Sequence, residues 1–215
     1  NIEGHSFRVL KKDCLDLPDK IYQRYPINLS AKQQALYNQL KKSFTAELND
    51  EVLKAPEAIT RLLRLQQIIC GWFPSETESK PIEDKNPRLE ALKDILSDID
   101  SKVIIWARFR ADISLIESML GDLAVSYHGG ISNDQRASSV ERFQNDPKVR
   151  YFIGQPQSGG IGLTLTAADY AIYYSNSFDL ETRLQSEDRC HRIGTKNNIT
   201  YIDIEAPKTI DTKII

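Results

Sequence analysis

Val103-Ile-Ile-Trp-Ala107 is a five-residue apolar run between Lys102 and Arg108, rich in β-branched and aromatic side chains and too short for a buried helix. It predicts a strand covered on both faces. Beyond it, Ile113, Ile116 and Leu120 recur at helical spacing, and a second short apolar run occupies residues 123–127. Ser132-Asn-Asp-Gln135 then has the form of a capping box, opening a helix that carries Val140 and Phe143. Further strand-like runs occupy residues 149–153, 170–174 and 199–204. Before Val103, the series Leu89, Leu92, Leu96, Ile99 predicts one more helix. Short apolar strands alternating with amphipathic helices form parallel βαβ units, so the expected fold class is α/β, a parallel sheet covered by helices. Ligands of such sheets bind beyond the carboxyl ends of the strands, which directs attention to the loops after Ala107, Tyr127, Ile153 and Tyr174.

The N-terminal part has a different rhythm. Residues 1–29 read as a linker or extended arm, and residues 30–85 as a small helical subdomain preceding a lobe at 86–215. Ser30-Ala-Lys-Gln33 is a second capping box, followed by Leu36, Leu40, Phe44 and Leu48 on one helical face. A second helix is expected near Pro56, burying Ile59, Leu62, Leu63 and Ile69. Residues 74–87 are polar and contain prolines, which marks a loop.

Bulk properties set limits. With 28 basic and 30 acidic residues the 215-residue chain carries a net charge of −2, which gives no support to a generally basic nucleic-acid binder but allows local cations. No apolar stretch is long enough to span a membrane and no signal peptide opens the chain. Cys14, Cys70 and Cys190 lie far apart without a CxxC pair, which disfavours a disulfide framework or a zinc site and fits a reducing, intracellular compartment: cytoplasmic in a prokaryote or infected cell, nuclear in a eukaryote. A chain that opens at Asn1 and stops at Ile215 inside an expected helix reads as a fragment.

Three stretches carry chemistry. In Gln185-Ser-Glu-Asp-Arg189-Cys-His-Arg192-Ile-Gly194 a continuous helix would put Arg189 and Arg192 on one face, where two guanidinium groups can meet a phosphate. The competing reading pairs them with Glu187 and Asp188 on a solvated surface. Ile153-Gly-Gln-Pro-Gln-Ser158-Gly159-Gly160-Ile-Gly162-Leu-Thr164 is a glycine-rich strand-to-helix corner whose amides can approach an oxyanion. It is neither GxxxxGK[ST] nor GxGxxG, so no triphosphate loop is present. Asp50-Glu51 follows the polar end of a helix and reads as surface acid, not as a magnesium site. In Tyr127-His-Gly129-Gly130-Ile-Ser132 the chain turns into a capped helix whose first-turn amides, with Arg136, suit a backbone phosphate. Arg108 and Arg110, interleaved with Trp106 and Phe109, suit a nucleic-acid strand or an opposing lobe, and neither His128 nor His191 has a catalytic partner nearby in sequence.

Taken in order, these stretches resemble the C-terminal half of the motor in Swi/Snf-like superfamily-2 helicases, the DNA translocases of chromatin remodelling and related repair proteins. Ala107-Arg-Phe109 resembles the motif IV region, Ser158-Gly-Gly-Ile-Gly-Leu163 motif V, and Gln185 to Gly194 motif VI, close to QxxDRxHRIG. Residues 63–68 resemble the helical insertion before the second lobe, and residues 209–214 the segment opening the final helix. The sequence departs from the family at Thr164, at Gln155-Pro156, at Phe178-Asp-Leu180 where Trp-Asn-Pro is usual, and at Thr195 where glutamine is common.

The resemblance implies a RecA-like sheet and an ATP-dependent motor that tracks duplex DNA. It implies Arg192 as the arginine finger with Arg189 beside it, Gln185, Gly160 and Gly162 on the nucleotide side, and Arg108, Gly129, Gly130, Arg136, Ser158, Gly159 and Thr164 toward DNA. ATP with Mg2+ would be bound mainly by an N-terminal RecA-like lobe absent here, and the chain alone is expected to be inactive. Two other readings stand beside it: a non-catalytic DNA- or protein-binding module reusing the lobe, and the lobe of a strand-separating DNA or RNA helicase. No metal site is expected in this chain.

Overall fold

In a computed structural model, residues 17–49, 55–74, 79–158, 163–195 and 197–214 are described. Strand β2 (Val103–Trp106) is buried at every position. Its side chains alternate between two cores, as the two-residue period of a strand requires. Val103 and Ile105 enter one core with Ile153, Ile172, Ile202 and Ile204, while Ile104 and Trp106 enter the other with Phe152, Tyr173 and Tyr201. Full burial of each such side chain stabilises by about 1.5–3 kcal/mol relative to exposure.

Around β2 the sheet is built from β1 (Lys20–Pro26), β3 (Ala124–Tyr127), β4 (Tyr151–Gly154), β5 (Tyr170–Tyr173) and β6 (Ile199–Glu205), all parallel, in the order β1-β6-β5-β2-β4-β3. The helices are α1 (Ala31–Asn49), α2 (Ala55–Ile69), α3 (Pro87–Ser97), α4 (Arg110–Leu120), α5 (Asn133–Asn145), α6 (Leu180–Cys190) and the single turn α7 (Asp211–Ile214). The expected parallel sheet with helical cover is the architecture observed.

Local signals account for the helix starts. Ser30 and Gln33 close the expected reciprocal box before α1, at 3.1 Å in each direction. Ser132 and Gln135 do the same before α5. Asn86 caps α3, its side chain accepting from the Arg88 amide at 3.0 Å, with Pro87 in the first turn where no N–H is needed. Leu36, Leu40 and Phe44 of α1 face the core as expected; the side chain of Leu48 lies outside the description.

Two expectations change. Ile59 is exposed and Leu62 and Leu63 are only half-buried, because α2 is fully covered only from Leu65 onward, where Leu65, Ile68 and Ile69 meet the sheet-side core. Within the 1–29 arm, residues 20–26 form a full strand paired to β6 over seven residues. Its side chains are mostly exposed, so no alternating pattern announces it; its hold is the backbone ladder and the stacking of Tyr22 on Tyr201 at 5.3 Å. Tyr37 of α1 and Leu65 of α2 share one core with Leu92, Ile105 and Ile204, so the helical segment is packed directly against the lobe.

A buried cation fastens the far end. Arg88, 1% exposed, donates to the carbonyls of Tyr174 and Ile204 and to the Asp211 carboxylate, joining α3, the ends of β5 and β6, and α7. Asp211 in turn accepts from the Ala206 amide at 3.1 Å.

Candidate nucleotide and nucleic-acid edge

The carboxyl ends of β2, β3, β4 and β5 open into loops 107–109, 128–132, 155–158 and 174–179 along one rim of the sheet. Arg189, in the last turn of α6, is 6% exposed and reaches under this rim. Its guanidinium donates to the Pro156 carbonyl at 2.7 Å and lies 5.2 Å from the Trp106 ring centroid. Burial holds its pKa below the usual guanidinium range.

Arg192 does not share a helix face with Arg189. Helix α6 ends at Cys190 with His191 as its cap, and the next residues form a turn. Thr195 makes that turn: its hydroxyl accepts from the Arg192 amide at 3.1 Å and donates to the Cys190 carbonyl at 2.7 Å, while Gly194 takes a φ of +104°, a left-handed conformation that glycine adopts without strain. Thr195, one of the departures from the family pattern, is thus the residue that closes the turn. Arg192 is exposed and donates to the Thr164 hydroxyl at 3.2 Å. The two arginines nevertheless meet one loop from its two ends, since Pro156 precedes and Thr164 follows residues 159–162. The Arg189 carbonyl also accepts from the Leu165 amide at 2.9 Å. Gly159, Gly160 and Gly162 themselves lie outside the described residues, as do Cys14 and the Asp50-Glu51 pair.

Glu187 is committed elsewhere. Buried at 3% exposure, it accepts from Arg183 Nε at 2.9 Å, Lys20 Nζ at 3.0 Å and Tyr22 Oη at 2.8 Å. Burial alone raises a carboxyl pKa, but these three donors together hold it below the ordinary glutamate value. Gln185 is exposed on α6, donating to Glu181 at 2.9 Å.

On the loop after β3, Gly129 and Gly130 are exposed, and a side chain at Gly130 would collide with the Arg110 guanidinium. The Gly130 amide donates to His128 Nδ1 at 3.0 Å, and Arg136 Nε donates to the His128 carbonyl at 3.1 Å. Burial, with Arg110 and Arg136 nearby, keeps His128 below the usual histidine pKa, as a neutral hydrogen-bonding residue of the turn. Arg110, the last residue of the aromatic and basic stretch after β2, adds a second cation near His128 beside Arg136. His191 is likewise structural, its Nε2 lying 2.7 Å from the Pro18 carbonyl.

Arg108 is turned inward. Its amide donates to Ser175 Oγ at 2.8 Å, its carbonyl accepts from Gln155 Nε2 at 2.9 Å, and its guanidinium donates to Gln66 Oε1. Ser158 donates to Gln155 Oε1 at 3.1 Å. Beneath them lies Asp112, fully buried, accepting from Trp72 Nε1 at 2.7 Å and from Ser175 Oγ at 2.9 Å. Burial pushes its pKa up to about 6 against these hydrogen bonds and the charge of Arg88.

A carboxyl whose folded pKa exceeds its unfolded value adds stability in full at pH below about 4, and that stability is lost as pH rises through about 6. Between those limits Asp112 shifts stability by about 3 kcal/mol. Across pH 4 to 7.5 the urea midpoint of the wild-type chain should therefore fall relative to that of Asp112→Asn, so the difference shifts in favour of the variant as pH rises. Parallel pH profiles for the two proteins would contradict this.

Among the described residues no group of three or more His, Cys, Asp or Glu is placed to hold a metal ion. No described helix is long and apolar enough to cross a membrane.

Residues 87–194 match the helicase conserved C-terminal domain. Human TATA-binding protein-associated factor 172 is 27% identical over 97% of this chain, and the Saccharomyces cerevisiae transcription regulatory protein SNF2 is 26% identical over 97%. Human lymphoid-specific helicase is 37% identical over 53% of it. The chain spans only 14% of the length of each of these three relatives. Among solved structures, the C-terminal part of the Fun30 ATPase domain superposes with a TM-score of 0.73 at 19% identity, covering 93% of this chain and 89% of that one. The Sulfolobus solfataricus SWI2/SNF2 ATPase core in complex with dsDNA gives 0.72 at 23% identity, covering 92% of this chain and 43% of that one. The sheet order and these matches agree: the chain belongs to the helicase conserved C-terminal domain family and has the RecA-like fold of the SWI2/SNF2 ATPase C-terminal lobes on which it superposes.

Proposed function

We propose that this lobe serves an ATP-dependent double-stranded-DNA translocase by presenting fixed cations to a triphosphate held mainly by a first RecA-like lobe. The observation that carries the reading is the double hold on one loop, Arg189 on its Pro156 side and Arg192 on its Thr164 side. Arg192, exposed at the rim, is the finger: it offers the planar, permanently charged donor that a transferring phosphoryl group needs. Arg189, under the rim, fixes the loop against α6 and adds positive charge behind it. Gln185, Gly160 and Gly162 are assigned to nucleotide contact. The donor set fits an anionic phosphate; Mg2+ is assigned to carboxylates of the first lobe. ATP is the substrate, and this chain's share of its chemistry is electrostatic.

DNA contact is assigned to Gly129 and Gly130 with Arg136 after β3, to Ser158, Gly159 and Thr164 around the loop after β4, and to Arg108. Strand-end amides and arginines grip backbone phosphates without reading bases, so affinity should fall with salt and vary little with sequence. The DNA-bound Sulfolobus relative supports this choice of ligand.

Division of the site predicts that the 215-residue chain alone releases phosphate from ATP no faster than buffer, with or without duplex DNA. The whole protein should show DNA-stimulated release and displace a third strand from a triplex without unwinding the duplex. DNA-stimulated turnover by the chain alone, abolished by Arg192→Ala, would refute the shared site; efficient unwinding would favour a strand-separating helicase.

A further inference from the structure

We propose that Gln66, in the helical segment, is a positioning residue for the motor rim, acting through Arg108; this rests on the reading above. Gln66 is 2% exposed and sits in α2 beside the core residues Leu65, Ile68 and Ile69. A buried amide is costly unless both of its ends are paired, and packing at this point needs none of its polarity. Both ends are paired with rim loops. Oε1 accepts from Arg108 Nη1 in the loop after β2, and Nε2 donates to the Asn176 carbonyl at 2.9 Å in the loop after β5.

Each contact leads on to an element of the proposed site. From Arg108, the Gln155 amide on its carbonyl and the Ser158 hydroxyl on Gln155 reach the loop after β4. From Asn176, the side chain donates to Asp203 at 2.8 Å and accepts from Arg183 of α6 at 3.0 Å. Arg183 also bridges to Asp203 at 2.5 and 3.0 Å. One amide of α2 therefore fixes the Arg108 guanidinium and the spacing of two loops, and its network continues into α6, the helix that carries Arg189 in its last turn. A shift of α2 against the sheet breaks both hydrogen bonds at once and frees Arg108, which couples the helical segment to the rim through a fully satisfied polar network.

The test uses the complete motor protein on duplex DNA with Gln66→Met, Arg108→Ala, the double variant and Arg192→Ala. Gln66→Met keeps the side-chain shape and removes both hydrogen bonds. It should lower DNA-stimulated kcat roughly tenfold with KM for ATP within about twofold, and the double variant should be no slower than Arg108→Ala, because contacting residues do not act additively. Gln66→Glu, which keeps the acceptor for Arg108, should recover most of the rate; if Gln66→Met does not fold, Gln66→Leu, which also lacks both hydrogen bonds, takes its place in the cycle. Multiplying rate losses in the double variant would overturn the proposal, as would a silent Arg108→Ala or unchanged turnover in Gln66→Met. If Arg192→Ala abolishes turnover in the same series, only the inference about Gln66 fails; if Arg192→Ala is fully active, the shared-site reading falls instead.

Discussion

Replacing Arg192 by alanine in the complete motor should slow DNA-stimulated ATP turnover by about 10³–10⁵ while leaving duplex affinity within about threefold. The size of the loss follows from where the residue stands. Arg192 is exposed on a turn, its guanidinium donating, among the described residues, to the partly exposed Thr164 hydroxyl, so its removal leaves no cavity and no buried orphan there. Surface substitutions of this kind change stability by within about 0.5 kcal/mol. Any large effect is therefore functional. Arg192→Lys keeps the charge and loses the planar fork, and should recover only a small part of the rate. Steady-state phosphate release and fluorescence anisotropy on a labelled duplex provide the two readouts. An equal loss of rate and affinity would reassign Arg192 to DNA, and an unchanged rate would remove it from the mechanism.

The second large effect concerns the fold. Arg88→Ala should destabilise the chain by about 3–5 kcal/mol, read as a lowered urea midpoint. Burial works against the charge of Arg88, and the neighbouring Asp211 more than offsets it, holding the guanidinium pKa above its usual value. Removing the arginine leaves the Asp211 carboxylate buried with the Ala206 amide as its one donor among the described residues, and strips a donor from the carbonyls of Tyr174 and Ile204. The double variant Arg88→Met, Asp211→Leu eliminates the uncompensated charge and should be less destabilised than Arg88→Ala alone. A loss under about 1 kcal/mol in the single variant would show that water reaches the pair.

Periodicity and caps made the architecture legible. The apolar runs around Val103, Tyr151, Tyr170 and Ile199 became the central strands, and the boxes at Ser30 and Ser132 became helix starts. Strand β1 was harder to see because an edge strand with exposed side chains is held by backbone bonds that leave no apolar signature. Ile59 was misread because periodicity finds a face and cannot tell where along α2 the partner surface begins. At the site, motif order brought Arg189 and Arg192 to attention, but the stop after Cys190 depends on Thr195 folding back on its carbonyl, a contact that helical spacing does not encode. The links from Gln66 to Arg108 and Asn176 span 42 and 110 positions, so only the fold reveals them.

The pairing of β1 with β6 bears on how this lobe can be cut. The family match covers residues 87–194, yet β6 lies beyond its end and is buried at all seven positions. A piece trimmed to begin after Pro26 bares that apolar ribbon as an open border, with unsatisfied amides and carbonyls ready to recruit another molecule. Subcloning for solubility must keep the N-terminal ribbon, because it is the cover that prevents the sheet from growing sideways.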